Sequence, residues 1–586
     1  MNYTRLFDIL PYQLDKYPQD AALVSKENGQ WRKYSTQECL DTIRKFSLGL
    51  MSLGVKKDDK IAIVSNNRPE WVFTDQAILQ LGAADVPVYS TISPREYKFI
   101  FNDAKVSYCF VSDRDLYDKV ASIKDQVPTL KEIYSFDKMD GIKHWSEILS
   151  LADESKLTEL NAIKKAIDPA ALATLIYTSG TTGNPKGVML SHNNLASNVR
   201  NTLKVLPINN THRTLSFLPL CHSFERMVTY TYMATGASIY YAENMDTIGE
   251  NLKEVHPNFF TTVPRLLEKV YDKIVAKGLD LTGIKKALFF WALKLGQNYD
   301  DQGRNSAWYN VRLKIARKLI FSKWQEALGG EIVGIVTGAA ALQKRLARVF
   351  NAAGLTVREG YGMTESSPVL TFNRFEEGGY MMGTVGVAIP GVEVKLGDQG
   401  EILARGENVM MGYFNMPEQT TEMLRDGWLH TGDVGVFIDD KFLKITDRIK
   451  QLFKTSGGKY VTPQPIENKM SESFFIEQIM VIGENEKFVS AIIQPAFDAI
   501  YDWAKKNHIG VSSNEDICNN KEIITRIFED IQERNPEFGH VEQIKKFKLV
   551  PDAWSIETGE LTPTMKLKRK FVLEKYKNLI AELYTD

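Results

Sequence analysis

The sequence predicts an α/β fold in which a largely parallel sheet is covered by packed helices. Short apolar runs typical of buried strands, at residues 60–65, 86–89 and 108–111, alternate with a helical pattern over residues 70–81. A parallel strand pair needs a long crossover connection, which a helix normally supplies, so this alternation favours parallel pairing. With 586 residues, the chain is long enough for more than one folding unit.

A smaller unit is predicted at the C-terminal end. A polar stretch begins at Asp447 and ends at Tyr460, and about 130 residues with their own apolar periodicity follow it. We place the domain boundary at Lys450. The sequence therefore predicts an N-terminal domain of residues 1–449 and a C-terminal domain of residues 450–586.

Composition and charge exclude several classes of protein. Hydrophobic residues make up 44% and charged residues 25%, which is typical of globular chains and excludes a disordered or fibrous one. The net charge of −1 creates no overall field that would attract nucleic acid, so we expect no nucleic-acid partner. The four cysteines form no C-x-x-C pair, and no apolar run reaches the ~18 residues of a membrane span. We therefore expect a reducing, cytoplasmic location.

Residues 282–325 differ from the rest, with nine Lys or Arg against two Asp. Apolar residues recur there at helical spacing in two groups: Leu288, Trp291, Ala292 and Leu295, then Trp308, Val311, Ile315 and Leu319. Two interpretations stay open. The segment is either an amphipathic helical insertion packed on the core, or a basic, aromatic face that makes peripheral contact with an anionic membrane.

The segment most informative about function follows a strand-like run at residues 173–176. Four hydroxyls, three glycines and one lysine fall within the eleven residues 178–188. Glycine lets backbone N–H groups approach a polyphosphate, hydroxyls donate to its oxygens, and lysine offsets its charge. The spacing is not that of a Walker A loop, because Gly187 follows Lys186 and no glycine directly precedes it. The predicted phosphate-binding residues are Thr178, Ser179, Gly180, Thr181, Thr182, Gly183 and Lys186.

This loop resembles the signature loop of the adenylate-forming superfamily, which comprises acyl-CoA synthetases, peptide-synthetase adenylation domains and luciferases. Further ordered motifs extend the resemblance over essentially the whole chain. It implies a large N-terminal ATP- and acyl-binding domain with mixed and parallel sheets. It also implies a smaller, mobile α+β C-terminal domain that carries a catalytic lysine.

Two motifs are expected to complete the nucleotide site in the N-terminal domain. Small residues after a strand let a flat ring lie against backbone, and they are Gly338, Ala339 and Ala340. The second motif resembles the superfamily's Tyr-Gly-x-Thr-Glu sequence and comprises Tyr361, Gly362, Met363, Thr364 and Glu365. Tyr361 offers an aromatic face to a base, Thr364 a hydroxyl to phosphate, and Glu365, with Thr181, oxygen ligands to Mg²⁺.

Near the domain boundary, Asp433 lies in a Thr-Gly-Asp motif, where the resemblance implies that it binds the ribose hydroxyls. Arg448 is the implied second ribose contact, and Lys450 matches the hinge position. The resemblance also implies that a glycine-rich loop lets the pantetheine arm of CoA pass, and its residues are Gly457, Gly458 and Lys459.

Two further residues are implied to act in catalysis. Residues 559–569 resemble the strand that carries the catalytic lysine, here Lys566, with Met565 at a position where the superfamily often has glycine. His222 lies in a motif between acyl and nucleotide sites and is expected to steer the substrate carboxylate. No aspartate that could hold a substrate ammonium appears at residues 221–224, which argues against an amino-acid substrate.

Residues 263–272 and the basic insertion resemble the long-chain fatty acyl-CoA synthetases in particular. The resemblance implies that ATP activates a long-chain fatty acid to acyl-AMP with release of pyrophosphate. Transfer to CoA would then give acyl-CoA and AMP, with Mg²⁺ as the metal. Two alternatives stay open: a ligase that loads a carrier protein from acyl-AMP, and a non-catalytic lipid- or nucleotide-binding protein of the same fold.

Overall fold

The computed structural model of the protein describes residues 3–178, 185–562 and 565–585, apart from the side chain of Lys450. The chain forms two compact units. Unit 1 comprises Met1–Lys395, Leu403–His430 and Phe437–Lys444. Unit 2 comprises Leu396–Ile402, Thr431–Val436 and Ile445–Asp586.

One sheet of unit 1 has seven strands and contains the run that leads into the phosphate loop. In spatial order its strands are Gly412–Tyr413, Lys186–Ser191, Leu172–Thr178, Ala84–Pro87, Lys60–Val64, Tyr108–Val111 and Glu132–Ser135. The last five pair in parallel, and the first three pair antiparallel. The predicted early strands are thus confirmed within two residues at their ends.

The second sheet of unit 1 has nine strands. In spatial order they are Val387–Ala388, Val369–Phe372, Val357–Gly362, Gly334–Thr337, Phe259–Thr262, Arg213–Ser216, Ser238–Tyr241, Leu23–Glu27 and Gln30–Tyr34. The six strands from Val357–Gly362 to Leu23–Glu27 pair in parallel, and the outer pairs are antiparallel. The α/β class with mixed and parallel sheets is therefore confirmed.

Helices cover the sheets of unit 1, and the predicted helix at residues 70–81 is observed as Pro69–Gln80. All twelve of its residues are buried. A helix buried on every side lies inside the fold rather than on its surface. The other helices of unit 1 are Ile9–Lys16, Thr36–Ser52, Pro94–Ala104, Arg114–Ala121, Ser146–Ser150, Leu157–Ala166, His192–Thr202, Ser223–Thr235, Ile248–Val255, Pro264–Asp280, Gly283–Gln297, Ala307–Ala316, Ser322–Ala327, Lys344–Ala352 and Pro417–Met423.

A further sheet has five strands. Its strands are Val392–Leu396, Glu401–Gly406, Trp428–Ile438 and Leu424–Arg425 in that order, with Phe442–Arg448 paired to Trp428–Ile438. Unit 2 has a two-stranded sheet, Phe453–Lys454 with Tyr460–Val461, and a three-stranded sheet of Ile476–Ile482, Val489–Pro495 and Ile544–Leu549. Its helices are Pro463–Met470, Phe497–Lys506, Asn514–Asn519, Lys521–Arg534, Arg569–Lys575 and Lys577–Tyr584.

The basic segment at residues 282–325 is helical. The helices Gly283–Gln297 and Ala307–Ala316 are followed by a π-helical turn at Arg317–Phe321 and the helix Ser322–Ala327. Ala292 and Leu295 are buried in the core of unit 1. No helix among the described residues is long and apolar enough to cross a membrane.

The structure describes no strand at residues 559–562 or 565–569, where the resemblance implied one. Leu561 and Leu567 form an isolated antiparallel bridge. Met565 has a left-handed backbone with φ of 60°, which ends any extended run at that residue.

Candidate functional site

The predicted phosphate loop connects two antiparallel strands. Leu172–Thr178 pairs with Lys186–Ser191, and Thr178 lies directly opposite Lys186. A Walker A loop leads from a strand into a helix, so this strand–loop–strand geometry differs from it. The predicted residues Ser179, Gly180, Thr181, Thr182 and Gly183 lie outside the described residues.

The packing of this hairpin leaves little room for a side chain at Gly187. A Cβ there would lie 3.0 Å from the ring of Tyr177, which crosses from the opposite strand. The Tyr177 hydroxyl donates to the Asp103 carboxylate at 2.6 Å. The Tyr177 side chain, which packs on Gly187 and bonds to the helix Pro94–Ala104, therefore fixes the base of the loop, and Lys186 starts from a defined position.

Glu365, the predicted metal ligand, is joined to the loop lysine through Tyr413. The Tyr413 hydroxyl donates to Glu365 Oε1 at 2.7 Å. The Lys186 ammonium lies 4.9 Å from the centroid of the Tyr413 ring. Burial, followed by the Glu365 carboxylate, raises the pKa of Tyr413 well above its usual range, so the phenol remains a proton donor.

Sequence reasoning missed Tyr413. It lies in the two-residue strand Gly412–Tyr413, which pairs with Val188 and Met189 of the loop hairpin. That pairing joins residues more than two hundred positions apart, and so short a strand has no periodicity to reveal it. The only sequence signal is an aromatic residue after a glycine, which is common in any chain.

The Tyr-Gly-x-Thr-Glu motif runs from a strand into a short 3₁₀ turn. Tyr361 is the penultimate residue of the strand Val357–Gly362, and Thr364 opens the turn Thr364–Ser366. A Cβ at Gly362 would lie 1.8 Å from the Pro368 carbonyl oxygen, so only glycine fits there. The Thr364 hydroxyl lies 3.3 Å from that of Ser223.

The small-residue motif comes directly after the neighbouring strand Gly334–Thr337. A Cβ at Gly338 would lie 3.4 Å from the Gly360 carbonyl oxygen, so this motif borders the strand that carries Tyr361. Ala339 has a left-handed backbone with φ of 67°. The structure thus brings Gly338, Ala339 and Ala340 close to the tyrosine motif.

His222 caps the N-terminus of the helix Ser223–Thr235. Its Nδ1 accepts a hydrogen bond from the backbone N–H of Phe224 at 3.2 Å. The neutral ring therefore carries its proton on Nε2. The ring of Tyr89 lies 6.5 Å away between centroids. Because Ser223 is the next residue, His222 and the Thr364 turn lie at the same end of this helix.

Arg226, one helical turn after His222, ties this helix to the phosphate hairpin. It is fully buried and donates to Asp75 at 2.6 Å and to Asp85 at 2.5 Å. It also donates to the Thr174 hydroxyl, on the strand leading into the loop, at 2.7 Å. Breaking such a buried pair strongly destabilises a fold, so these contacts fix His222 relative to the hairpin.

In unit 2 the structure brings the two predicted ribose contacts together. Arg448 Nε donates to Asp433 Oδ1 at 2.7 Å. The Asp433 side chain is 6% exposed and that of Arg448 is 41% exposed. The Asp433 backbone N–H donates to the Thr431 hydroxyl at 3.1 Å. This bond fixes the backbone from which the Asp433 side chain extends.

The hinge and CoA-loop predictions fall on turns of unit 2. Lys450 lies in the short turn Ile449–Gln451, and its side chain is outside what the structure describes. Gly457, Gly458 and Lys459 form the exposed connection between the strands Phe453–Lys454 and Tyr460–Val461. The Thr455 N–H donates to the Lys459 carbonyl at 3.0 Å and closes this turn.

Lys566 is exposed on a tight turn of unit 2. Its backbone N–H donates to the Thr562 hydroxyl at 3.0 Å, and its carbonyl accepts from the Thr562 N–H at 2.8 Å. Met565, the residue before it, is in the left-handed region. That conformation favours glycine, which explains why glycine suits this position.

The oxygen ligands available around Glu365 suit a cation such as Mg²⁺ that is held mainly by the phosphates of the substrate. Among described residues, no group of three or more His, Cys, Asp or Glu side chains could enclose a metal ion. Mg²⁺ is usually held by one or two carboxylates together with substrate phosphates and water. Glu365 is 8% exposed, and Tyr413 engages its Oε1. One buried carboxylate, oriented by the tyrosine that also contacts Lys186 of the predicted phosphate loop, fits that pattern.

Residues 10–414 match the family described as AMP-binding enzyme, and residues 450–586 match the AMP-binding enzyme C-terminal domain. The chain belongs to the AMP-binding enzyme family. This confirms the predicted family, whereas the boundary at Lys450 and the roles of individual residues stay predictions.

Two relatives show how far this AMP-binding enzyme resembles known members. It is 33% identical over 565 residues to long-chain-fatty-acid–CoA ligase FadD15 of Mycobacterium bovis, covering 95% of this chain and 93% of the relative. It is 35% identical over 599 residues to long-chain-fatty-acid–CoA ligase 5 of Rattus norvegicus, covering 95% and 85%.

A solved structure agrees with the fold. The adenylation domain of the carboxylate reductase of Mycobacterium chelonae superposes with a TM-score of 0.76 at 21% identity, covering 99% of this chain and 91% of that one. The predicted large N-terminal domain with a smaller C-terminal domain is therefore confirmed as the fold of this AMP-binding enzyme.

Proposed function

We propose that this AMP-binding enzyme is a long-chain fatty acid–CoA ligase. It activates a fatty acid with ATP to acyl-AMP and pyrophosphate, then transfers the acyl group to CoA and releases AMP. The observation that carries the proposal is the 33% and 35% identity, each over 95% of the chain, to relatives named long-chain-fatty-acid–CoA ligases.

The first half-reaction must bring two anions together. A carboxylate oxygen attacks the α-phosphorus of ATP, the bond to the β-phosphate oxygen breaks, and pyrophosphate leaves. Lys186 and the loop residues 178–183 hold the phosphates, while Lys566 stabilises charge at the α-phosphate. If removing one such contact costs ~3–4 kcal/mol, this step slows by roughly two to three powers of ten.

Glu365, with Thr181, would hold Mg²⁺, which supplies positive charge to the phosphate oxygens. Tyr413 orients the Glu365 carboxylate through the hydroxyl bond at 2.7 Å. The same ring lies beneath the Lys186 ammonium. One tyrosine therefore sets the positions of the carboxylate and the loop cation together.

Separate groups would contact the base and the ribose of the nucleotide. Tyr361, next to Gly362, and the small residues at 338–340 receive the base, and the Thr364 hydroxyl donates to phosphate. Asp433 and Arg448, which are already paired, contact the ribose. A carboxylate that is oriented before the nucleotide arrives loses less conformational entropy when it binds.

His222 steers the fatty acid. Its Nδ1 is committed to the Phe224 N–H, so the neutral ring presents Nε2–H as a donor. A carboxylate that accepts this hydrogen bond is held in one orientation for attack. His222 therefore acts by orienting the substrate rather than by removing a proton.

In the second half-reaction the CoA thiol loses its proton to water, the thiolate attacks the acyl carbon, and AMP leaves with the electron pair of the broken acyl–oxygen bond. This step requires Lys566 to withdraw and the pantetheine arm to enter. Movement of residues 450–586 about Lys450 would exchange Lys566 for the turn Gly457–Lys459. The exposed position of both turns within unit 2 supports this exchange.

The test is a panel of acetate, octanoate, palmitate and oleate scored for AMP release with and without CoA. The proposal predicts CoA-dependent AMP release that is fastest with the long-chain acids. The cytoplasmic location predicted from the sequence is consistent with a supply of ATP and CoA.

Two outcomes would favour the alternatives. AMP release with acyl carrier protein but not with CoA would identify a ligase that loads a carrier. ATP binding without pyrophosphate release for any acid would identify a non-catalytic binding protein.

A further inference from the structure

Six large apolar side chains of the basic helical segment point into solvent. Trp308, Val311, Ile315 and Leu319 are 69%, 48%, 46% and 49% exposed, and we call them the 308–319 stripe. They are three or four residues apart and therefore lie on one face of the helix and the turn that follows it. Ile284 and Leu288, on the preceding helix, are 79% and 36% exposed.

The two helices run antiparallel, which makes these side chains one surface. The Tyr309 hydroxyl donates to the Leu295 carbonyl at 2.6 Å. One turn further along, the Arg312 guanidinium lies 5.8 Å from the centroid of a Trp291 ring. Continuing this register by one and two turns places Leu288 level with Ile315, and Ile284 level with Leu319.

Poor packing does not explain the exposure. The opposite faces of the same helices bury Leu293, Leu313, Ala316 and Phe321 in the core cluster of unit 1. The helices are therefore anchored, and the outer apolar face is a separate feature. Scattered exposed apolar residues are normal, but a contiguous patch usually marks an interaction surface.

Basic side chains surround this surface. Lys285, Lys314, Lys318 and Lys323 are exposed, and among the described residues none of them forms an ion pair. The two acidic residues of the segment are already engaged. Asp300 pairs with Arg304 at 2.8 Å, and Asp301 accepts from the Met382 backbone N–H at 3.0 Å.

We propose that this surface docks the enzyme onto an anionic lipid membrane. The 308–319 stripe, with Ile284 and Leu288, would enter the boundary between headgroups and acyl chains, where tryptophan is favoured. The surrounding lysines would reach the lipid phosphates with their charged ends. A second copy of this chain is a poor occupant, because it would bring the same positive charges face to face.

The test is co-sedimentation of the full-length protein with vesicles of phosphatidylcholine, with or without phosphatidylglycerol. We expect binding that requires phosphatidylglycerol and weakens as salt is added, because salt screens the lysines. Neither ATP nor fatty acid is present, so the result does not depend on the proposed reaction.

Two variants separate the apolar and basic contributions. Ile315→Ser with Leu319→Ser should lower the partition coefficient at least about tenfold. Lys314→Glu with Lys318→Glu should lower it by roughly twentyfold or more and flatten its salt dependence. Matched controls are Met245→Ser, at a side chain 61% exposed elsewhere in unit 1, and Lys505→Glu with Lys506→Glu in unit 2. Both should bind within about twofold of wild type.

A second readout follows Trp308 directly. Vesicles containing phosphatidylglycerol should shift the tryptophan emission of the wild type to the blue, and Trp308→Phe should lack most of this shift. Vesicle binding of the Ile315→Ser, Leu319→Ser variant at the wild-type level would overturn the proposal. The proposal would also be overturned if the wild type were a dimer without vesicles and this variant a monomer, because a second copy would then cover the surface.

Discussion

Two regions of this enzyme hold functional side chains in opposite ways. Glu365 is 8% exposed and receives a hydrogen bond from the buried Tyr413. Lys566 is exposed on a turn, where backbone hydrogen bonds to Thr562 fix the chain. The structure thus buries the Glu365 side chain and exposes that of Lys566.

This difference matches what the two residues are proposed to do. A carboxylate that holds a cation in one geometry benefits from burial and an oriented partner, because neither has to change during the reaction. A lysine that serves one half-reaction and leaves for the next must not be enclosed. Under the proposed mechanism, burial therefore distinguishes the residue that acts throughout the reaction from the one that acts in a single half-reaction.

The largest effect on adenylation is expected from a substitution of the buried Glu365. Glu365→Gln removes a negative ligand, and adenylation should slow by roughly two to three powers of ten. Pyrophosphate release with palmitate measures this step, and Glu377→Gln, at an exposed glutamate of unit 1, is the control. A loss of less than fivefold would mean that Glu365 is not a ligand.

A smaller effect on adenylation is expected when Glu365 is kept but the hydrogen bond that orients its carboxylate is lost. Tyr413→Phe removes a hydrogen bond to a carboxylate, worth about 1.5 kcal/mol, so adenylation should slow roughly tenfold and need more Mg²⁺. The control is Tyr34→Phe, which removes a similar tyrosine–carboxylate bond to Glu27. An unchanged Mg²⁺ dependence in Tyr413→Phe would show that the tyrosine does not orient the ligand.

Sequence alone was sufficient to predict the features that depend on consecutive residues. The strand before the phosphate loop, the motif from Tyr361 to Glu365 and the helices of residues 282–325 are each specified locally. The ion pair between Asp433 and Arg448 agrees with two roles inferred from separate motifs.

The rest required long-range information. Tyr413 reaches Glu365 only because a two-residue strand pairs with the loop hairpin. The apolar spacing of residues 308–319 is the same whether the face is buried or exposed, so sequence could not decide between core and surface. The strand at residues 559–569 was implied by the resemblance alone, and a resemblance does not report the left-handed backbone of Met565.

Asp447 is one of the buried acids of unit 2, and its contribution to stability depends on pH. Burial raises the pKa of Asp447 from 3.8 to about 6. The folded state therefore binds more protons than the unfolded state between these values, and the free energy of unfolding falls as pH rises across this window. Because asparagine does not titrate, the Asp447→Asn variant should not show this fall in the free energy of unfolding.

As pH rises from ~4 to ~6, the free energy of unfolding of Asp447→Asn should increase by about 1–2 kcal/mol relative to that of the wild type, allowing for partial solvation of the carboxyl group. Above pH ~6 we expect no further relative increase. Urea unfolding at a series of pH values measures it. A difference that stays constant with pH would contradict the assignment.

The smallest effect is expected in the exposed turn. Met565→Gly removes a side chain from a left-handed position and should stabilise the turn by roughly 1 kcal/mol. Hydrogen exchange of the Lys566 amide, compared with that of a distant helix, would report it. Faster exchange in the variant would show that methionine is not strained there.

The most direct test of whether Lys566 acts in a single half-reaction uses Lys566→Ala in both half-reactions, with Lys570→Ala as the control. Adenylation of palmitate should fall by roughly two to three powers of ten. Thioester formation from synthetic palmitoyl-adenylate and CoA should stay within about threefold of wild type. An equal loss in both half-reactions, with the protein still folded, would contradict the account.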